Sequence, residues 1–170
     1  MMVVLAAPIH SKDQGYLEGW HTLGSTLNYT MMLATEDSEF ASSIQSQYSD
    51  IIVIDTSPVY SGPPGFDAIV AARNAIREEF LRTDEDILVF LDLDQAEVVT
   101  PDDISSAVSN LGDHHAYYPS GSSWIGFSVL SRTLLESQSF TKEYWPLLCE
   151  CVEFFMKSKK AGFDLVVEGR

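Results

Sequence analysis

The sequence predicts an α/β protein with a mostly parallel central sheet flanked by helices, and three observations carry that expectation. Short apolar runs recur at Val3–Ala7, Tyr29–Ala34, Ile51–Ile54 and Ile87–Leu91. Helix-length stretches, Tyr16–Leu27, Glu39–Tyr48 and Phe66–Arg82, separate them. Such alternation makes βαβ units with right-handed crossovers. The fourth run, Ile87-Leu88-Val89-Phe90-Leu91, is unbroken by any polar residue between Asp86 and Asp92. A strand of that kind is covered on both faces and therefore central in a parallel sheet.

The alternation then stops. Thr100-Pro101-Asp102-Asp103 reads as a cap, a proline at the first helical position and acid in the first turn, opening a helix to about Asn110. Short strands follow at His115–Tyr118 and Trp124–Leu130, joined by the loop Pro119-Ser120-Gly121-Ser122-Ser123. A helix from Pro146 to about Lys160, ended by Gly162, and a strand Phe163–Val167 close the chain. At 170 residues the sequence fits a single domain, residues 1–170, with a ligand-binding half 1–95 and a mixed half 96–170.

Composition narrows the partners. Twenty-five acidic against ten basic residues give a net charge of −15, which repels nucleic acid and anionic lipid. The one basic cluster, Lys157-Ser158-Lys159-Lys160, falls where cations complement a helix C-terminus. Cys149 and Cys151 are two apart on a helix and face different directions, so they neither bridge nor share a metal. They fit a reducing compartment. No run reaches the ~18–20 apolar residues of a membrane span. The opening Met1–Pro8 lacks the basic region and cleavage site of a signal peptide and reads as the first strand, so the expected location is the cytosol.

Asp92-Leu93-Asp94 comes directly after the central strand, at the edge where open α/β sheets bind ligands. Two carboxylates there either share a divalent cation that holds a phosphorylated ligand, or only end a strand and begin a turn. Ile69, Ile76 and Phe80 share one face of the preceding helix, and Arg73 falls on the same stripe. A guanidinium on a buried face needs an anion, either a structural carboxylate or a ligand phosphate. Glu36-Asp37-Ser38 follows the second strand, where Asp37 can meet a ribose or base, or cap the next helix. Ser61-Gly62-Pro63-Pro64-Gly65 is a turn-rich loop without the lysine of a phosphate-binding GxxxxGK motif. His10, His21, His114 and His115 show no metal-ligand spacing, and there is no GxSxG nucleophile elbow.

Two stretches in order, Ala72-Arg73-Asn74-Ala75-Ile76-Arg77 and Asp86 to Asp94, resemble the "ARN, helix, apolar strand, DxD" sequence of GT-A type glycosyltransferases, the nucleotide-diphospho-sugar transferase superfamily. Trp124–Arg132 resembles the glycine-containing strand of that family near the acceptor. Glu150-Cys151-Val152-Glu153-Phe154-Phe155 and Lys160–Phe163 resemble its "ED-v-x-f … aG-f/y" block. The resemblance runs from Val3 to about Val167.

It implies a GT-A fold and transfer of a sugar from a nucleotide-diphosphate donor to an acceptor hydroxyl on a glycan, lipid or protein. By the same resemblance Asp92 and Asp94 bind Mn²⁺ or Mg²⁺, and Arg73 faces the donor phosphates or sugar. Pro8 and His10 line the nucleotide, Asp37 lies near base or ribose, and Trp124 and Gly126 shape the acceptor side. The sequence departs from the family pattern twice. Glu150-Cys151 replaces the Glu-Asp pair, leaving Glu150 as candidate base beside Asp94 in the catalytic set, or as one of three side chains, with Glu153 and Lys157, on a solvated helix face. No histidine completing a metal shell follows Val167. The other reading of those departures is a catalytically degenerate module of the same fold that binds sugar nucleotide or glycan.

Overall fold

A computed structural model of the chain describes residues 1–60, 66–119, 126–143 and 150–168. The strands are β1 (Val3–Pro8), β2 (Thr30–Thr35), β3 (Ile51–Asp55), β4 (Ile87–Leu91), β5 (Ala116–Tyr118), β6 (Phe127–Ser131) and β7 (Leu165–Val167). The helices are α1 (Leu17–Leu27), α2 (Ser38–Gln47), α3 (Phe66–Arg82), α4 (Pro101–Leu111), α5 (Arg132–Ser137) and α6 (Glu150–Lys160). Two 3₁₀ turns, Ser11–Tyr16 and Leu93–Glu97, follow β1 and β4.

The strands form one sheet in the order β3-β2-β1-β4-β6-β5-β7, and among the described residues only β6 runs antiparallel to its neighbours. Alternate residues of each strand serve opposite faces. Val3, Leu5 and Ala7 with Val89 and Leu91 pack against Trp20 of α1, Phe40 and Ile44 of α2, and Ile104 and Leu111 of α4. Val4, Ala6, Leu88 and Phe90 pack against Ala72, Ile76 and Phe80 of α3, Leu134 of α5 and Phe154 of α6. Every residue of β4 is buried, as its unbroken apolar run predicts.

The helix ends follow their local chemistry. Asn28, left-handed at φ 54°, ends α1, and its N–H donates back to the Gly24 and Ser25 carbonyls. Thr100 and Asp103 form a full capping box at the start of α4, as the Thr-Pro-Asp-Asp signature predicts. Arg132 closes the C-terminal end of α3 by donating to the carbonyls of Glu85 (2.8 Å), Thr83 (2.7 Å) and Phe80 (3.2 Å). Lys157 is held by Thr141 (2.7 Å), Glu143 (2.9 Å) and Glu153 (3.1 Å), a structural use of the basic cluster.

The two 3₁₀ turns and α5 go beyond the elements read from sequence, because segments of five or six residues carry too little periodicity to register. In α3 the buried line runs through Ala68, Ala72, Arg73, Ile76 and Phe80, while Ile69 is only half-buried. The small residues Ala68 and Ala72 face the sheet, so the stripe is rotated slightly from the one drawn on the largest side chains.

Candidate active site

Strand order reverses between β1 and β4, with β2 and β3 on one side and the mixed half on the other. In open α/β sheets the crevice at such a switch point, outside the carboxyl ends of the strands, is where ligands bind. Pro8 ends β1 and Asp92 follows β4 at this point. The two 3₁₀ turns pack against one another across it.

The end of β4 is fixed from one face and along the sheet. Trp20, fully buried on α1, donates from Nε1 to the Leu91 carbonyl at 2.9 Å. From the β6 side the Asp92 N–H donates to the Gly126 carbonyl at 2.8 Å, extending the β4–β6 ladder. A Cβ on Gly126 would come within 2.9 Å of Gln95 Cγ, so a glycine is what lets these two segments meet. Gly126 thus acts through the backbone of Asp92.

Asp92 begins the 3₁₀ turn, its carbonyl accepting the Gln95 N–H at 3.0 Å, but its side chain makes no capping hydrogen bond there. Its Oδ1 lies instead 3.5 Å from Arg73 Nη2, with the carboxylate 30% exposed. Arg73 is 2% exposed, and its Nε lies 3.3 Å from Glu150 Oε1. The guanidinium also sits over the Phe90 ring, 4.9 Å from its centroid, with Phe140 at 5.8 Å. Burial works against the arginine charge, but the Asp92 and Glu150 carboxylates hold it further toward the protonated form. Burial raises Asp92 above the usual carboxylate range; Arg73 opposes the rise, while Asp94, Glu150 and Asp13 add to it.

Glu150 and Glu153 are both buried, which overturns the solvated-face reading of this part of α6. Glu153 accepts from Thr141 Oγ1 and from the Glu143 N–H, tying the segment before α6 to the helix. Glu150 Oε1 takes Arg73 and also the Cys151 thiol, whose sulfur is 3.3 Å away. Burial pushes the Cys151 thiol well up, so it stays a neutral donor where the family pattern has a second carboxylate. Glu150 Oε2 is buried with no hydrogen-bond partner among the described residues.

Asn74 builds the wall beside Arg73. Its amide Nδ2 donates to the Phe140 carbonyl and its Oδ1 accepts the Phe140 N–H, both at 2.9 Å. Phe140 stacks on Phe154 at 4.3 Å and meets Phe90 edge-on at 5.6 Å. Arg77 Nε donates to the Leu135 carbonyl at 2.6 Å. The Arg73-Asn74…Arg77 stretch therefore has one residue facing the crevice and two pinning the chain around it.

Asp94 is exposed on the second 3₁₀ turn, close enough to Asp92 to raise it electrostatically. Among the described residues no group of three His, Cys, Asp or Glu side chains is arranged to hold a metal ion. A cation of the Mg²⁺ type needs only one or two protein carboxylates and takes its other ligands from phosphate and water. On the β2 side, His10 accepts the Lys12 N–H at Nδ1 (3.2 Å) and places Nε2 3.8 Å from Glu36 Oε1. Asp37 Oδ1 caps α2 through the Phe40 N–H at 2.9 Å, the capping alternative of its two readings. Trp124, the loop residues Ser120–Ser123 and Ser61–Gly65, and Cys149 lie outside the described residues.

Sequence reasoning missed four contributors: Asn74 as a clamp, Phe140, Trp20 and Thr56. Thr56 follows β3, is 1% exposed, and its hydroxyl has no hydrogen-bond partner among the described residues. A buried orphan hydroxyl at the ligand edge invites explanation, and no motif marks it.

No protein-family model and no curated protein matches the sequence. Solved structures do match in shape. A protein described as a nucleotide-diphospho-sugar transferase from Desulfovibrio desulfuricans G20 superposes with a TM-score of 0.67 over 98% of this chain and 80% of its own, at 7% identity. The glucosyl-3-phosphoglycerate synthase of M. tuberculosis superposes with a TM-score of 0.66 over 98% of this chain and 69% of its own, at 15% identity. Together with the strand order and the crevice between β1 and β4, these likenesses show that the chain has the GT-A fold of the nucleotide-diphospho-sugar transferases.

Proposed function

We propose that the chain is a small glycosyltransferase that moves a sugar from a nucleoside-diphosphate donor to an acceptor hydroxyl on a glycan, lipid or protein, with Mn²⁺ or Mg²⁺ held by Asp92 and Asp94. The observation that carries this reading is the buried Arg73 between Asp92 and Glu150, at 3.5 Å and 3.3 Å, at the carboxyl edge of β4. A cation bound by the two carboxylates would supply Lewis acidity toward the diphosphate oxygens. The free thiol of Cys151 suits a cytosolic setting.

The chain's own residues then divide the work. Arg73 keeps Nε on Glu150 and turns Nη2 from Asp92 to the diphosphate, stabilising the negative charge that develops as the sugar C1–O bond breaks. The electron pair of that bond leaves with the nucleoside diphosphate, and the acceptor oxygen forms the new bond to C1. The acceptor proton passes to Glu150 Oε2, the carboxylate oxygen that has no hydrogen-bond partner among the described residues. Pro8, His10 and Asp37 border the nucleotide, and Trp124 and Gly126 the acceptor.

One observation favours a second reading, a sugar-nucleotide or glycan binding module without turnover. Glu150 Oε1 is already shared by Arg73 and Cys151, and the residue is 2% exposed, which leaves little room for an incoming hydroxyl.

A thermal-shift panel of nucleotide sugars with Mn²⁺, with Mg²⁺ and with chelator tests both. A donor at 100 times its dissociation constant should stabilise the fold by roughly 2.7 kcal/mol, several degrees for a chain of this size. Metal-dependent shift with sugar transfer supports the transferase; shift without turnover on any acceptor supports the binding module; no shift with any donor overturns the transferase and sugar-nucleotide binding alike.

A further inference from the structure

On the face of the sheet away from Arg73, a cleft of about 460 Å³ opens at the same carboxyl edge. It falls in the range of small-molecule sites, about 300–1,000 Å³. One stripe of α4 lines it, Asp103, Ser106, Ala107 and Asn110, at the i, i+3, i+4, i+7 spacing of a single helix face. Tyr117 of β5 and Glu168, just past β7, form the opposite wall, and Gln95 and Phe127 form the end nearest β4.

We propose that this cleft is a carbohydrate subsite that takes an uncharged, hydroxyl-rich chain, and that it seats the acceptor of the transfer reaction. The assignment rests on the transferase reading for the word acceptor, and on the lining alone for the word carbohydrate.

The lining selects by charge. No lysine or arginine is among the described residues that line it, and the whole chain carries −15, so phosphate and carboxylate ligands are repelled. The two carboxylates are already engaged. Asp103 Oδ2 accepts from the Thr100 N–H (2.8 Å) and hydroxyl (2.6 Å), and Glu168 is hydrogen-bonded to the Tyr117 hydroxyl. The remaining groups are neutral and both donate and accept: the Gln95 and Asn110 amides, the Ser106 hydroxyl, and Tyr117, which accepts from Asn110 Nδ2 at 3.2 Å. Burial and the bond to Glu168 raise the Tyr117 phenol, so it stays protonated. Val98, 73% exposed at the lip, offers an apolar surface for the C–H face of a sugar ring.

The cleft is linked to the edge of β4 through Gln95. Gln95 lines it, lies one residue past Asp94, and packs on Gly126, whose carbonyl holds the Asp92 N–H. A chain lying along α4 would thus approach Asp92 by way of Gln95 and Gly126.

The test uses the full chain and four neutral probes, maltotetraose, cellotetraose, mannotetraose and tetra-N-acetylchitotetraose, with tetragalacturonate as the acidic control. Amide chemical-shift mapping reads the binding face, and a nucleotide-sugar thermal shift with Mn²⁺ is run in parallel. At least one neutral probe should move the Gln95, Ser106 and Asn110 resonances while tetragalacturonate does not. Ser106→Trp, which fills the cleft from the exposed side of α4, and Asn110→Leu should each weaken that probe by about tenfold or more, leaving any nucleotide shift unchanged. No response to any neutral probe at millimolar concentration, a response mapping elsewhere, or equal affinity in both variants overturns the assignment. Loss of the nucleotide shift in the wild-type protein would sink the transferase reading alone, since the saccharide arm needs no donor.

Discussion

Arg73 Nε and Glu150 Oε1 meet at 3.3 Å with their side chains 2% and 1% exposed, a charge pair almost removed from water. Such a pair stabilises a fold less than its geometry suggests, because both ions lose their hydration, yet removing one partner leaves the other stranded. Arg73→Met is therefore expected to destabilise the chain by about 3–5 kcal/mol. Adding Glu150→Met should recover a large part of the loss. Urea titrations of the wild type, the two single variants and the double variant close this cycle; additive losses would show that the pair is not coupled.

Glu150→Gln keeps the shape of the side chain and removes its basicity. If Oε2 takes the acceptor proton, turnover falls by about 10²–10⁴-fold with the donor thermal shift retained. Unchanged turnover would assign the proton to another group.

Asp92 carries its raised pKa because of burial, with Arg73 only partly offsetting it. An acid whose folded pKa lies above its unfolded one stabilises the fold when protonated. That contribution is full below the ordinary carboxylate value and is lost as pH rises toward the raised one. Asparagine mimics the protonated form. Asp92→Asn should therefore raise the melting temperature of the ligand-free chain at neutral pH, while the metal-dependent part of a nucleotide-sugar shift vanishes. A lower melting temperature would mean that the ionised carboxylate is worth more to Arg73 than its burial costs.

Asn74→Ala breaks both bonds to Phe140 and leaves a backbone N–H and carbonyl to find water. The expected loss is about 1–3 kcal/mol, read as the shift of the urea midpoint. Phe140 resonances should broaden, since the ring loses the bracket that holds it against Phe90 and Phe154.

Thr100→Ala removes one half of the capping box of α4, at a cost of about 1 kcal/mol. The hydrogen bonds from Thr100 lower the Asp103 pKa, so their contribution is present above the ordinary carboxylate value and disappears as pH falls through the lowered one. The difference in stability between wild type and variant should accordingly narrow in acid.

Long, periodic elements were legible in the sequence, and so was their order. The limits Phe66–Arg82 and Ile87–Leu91 read from residue pattern coincide with α3 and β4, because seventeen residues of helical period and an unbroken apolar run each leave few alternatives. Arg73 was legible for a related reason: a cation on an apolar stripe demands an anion. The structure adds that the demand is met by Asp92 and Glu150 together. What stayed hidden depends on contacts far apart in the chain. Asn74 meets Phe140 across 66 residues and Trp20 meets Leu91 across 71, and nothing in either local pattern announces the partner. Glu150 also reads as part of a solvated face because charged residues surround it on α6, whereas Glu150 and Glu153 are both buried and Glu153 turns inward to Thr141 and Glu143.

The anchoring of Asp92 has a consequence for how substitutions in this chain would be scored. The indole of Trp20 and the missing side chain of Gly126 have no reactivity, yet between them they set where one carboxylate stands. Trp20→Phe removes the N–H together with the five-membered part of a fully buried indole; Gly126→Ala adds one methyl group. A screen for lost function would rank both beside Asp92 itself, and a map drawn from that screen would enclose a patch larger than the chemistry at its centre.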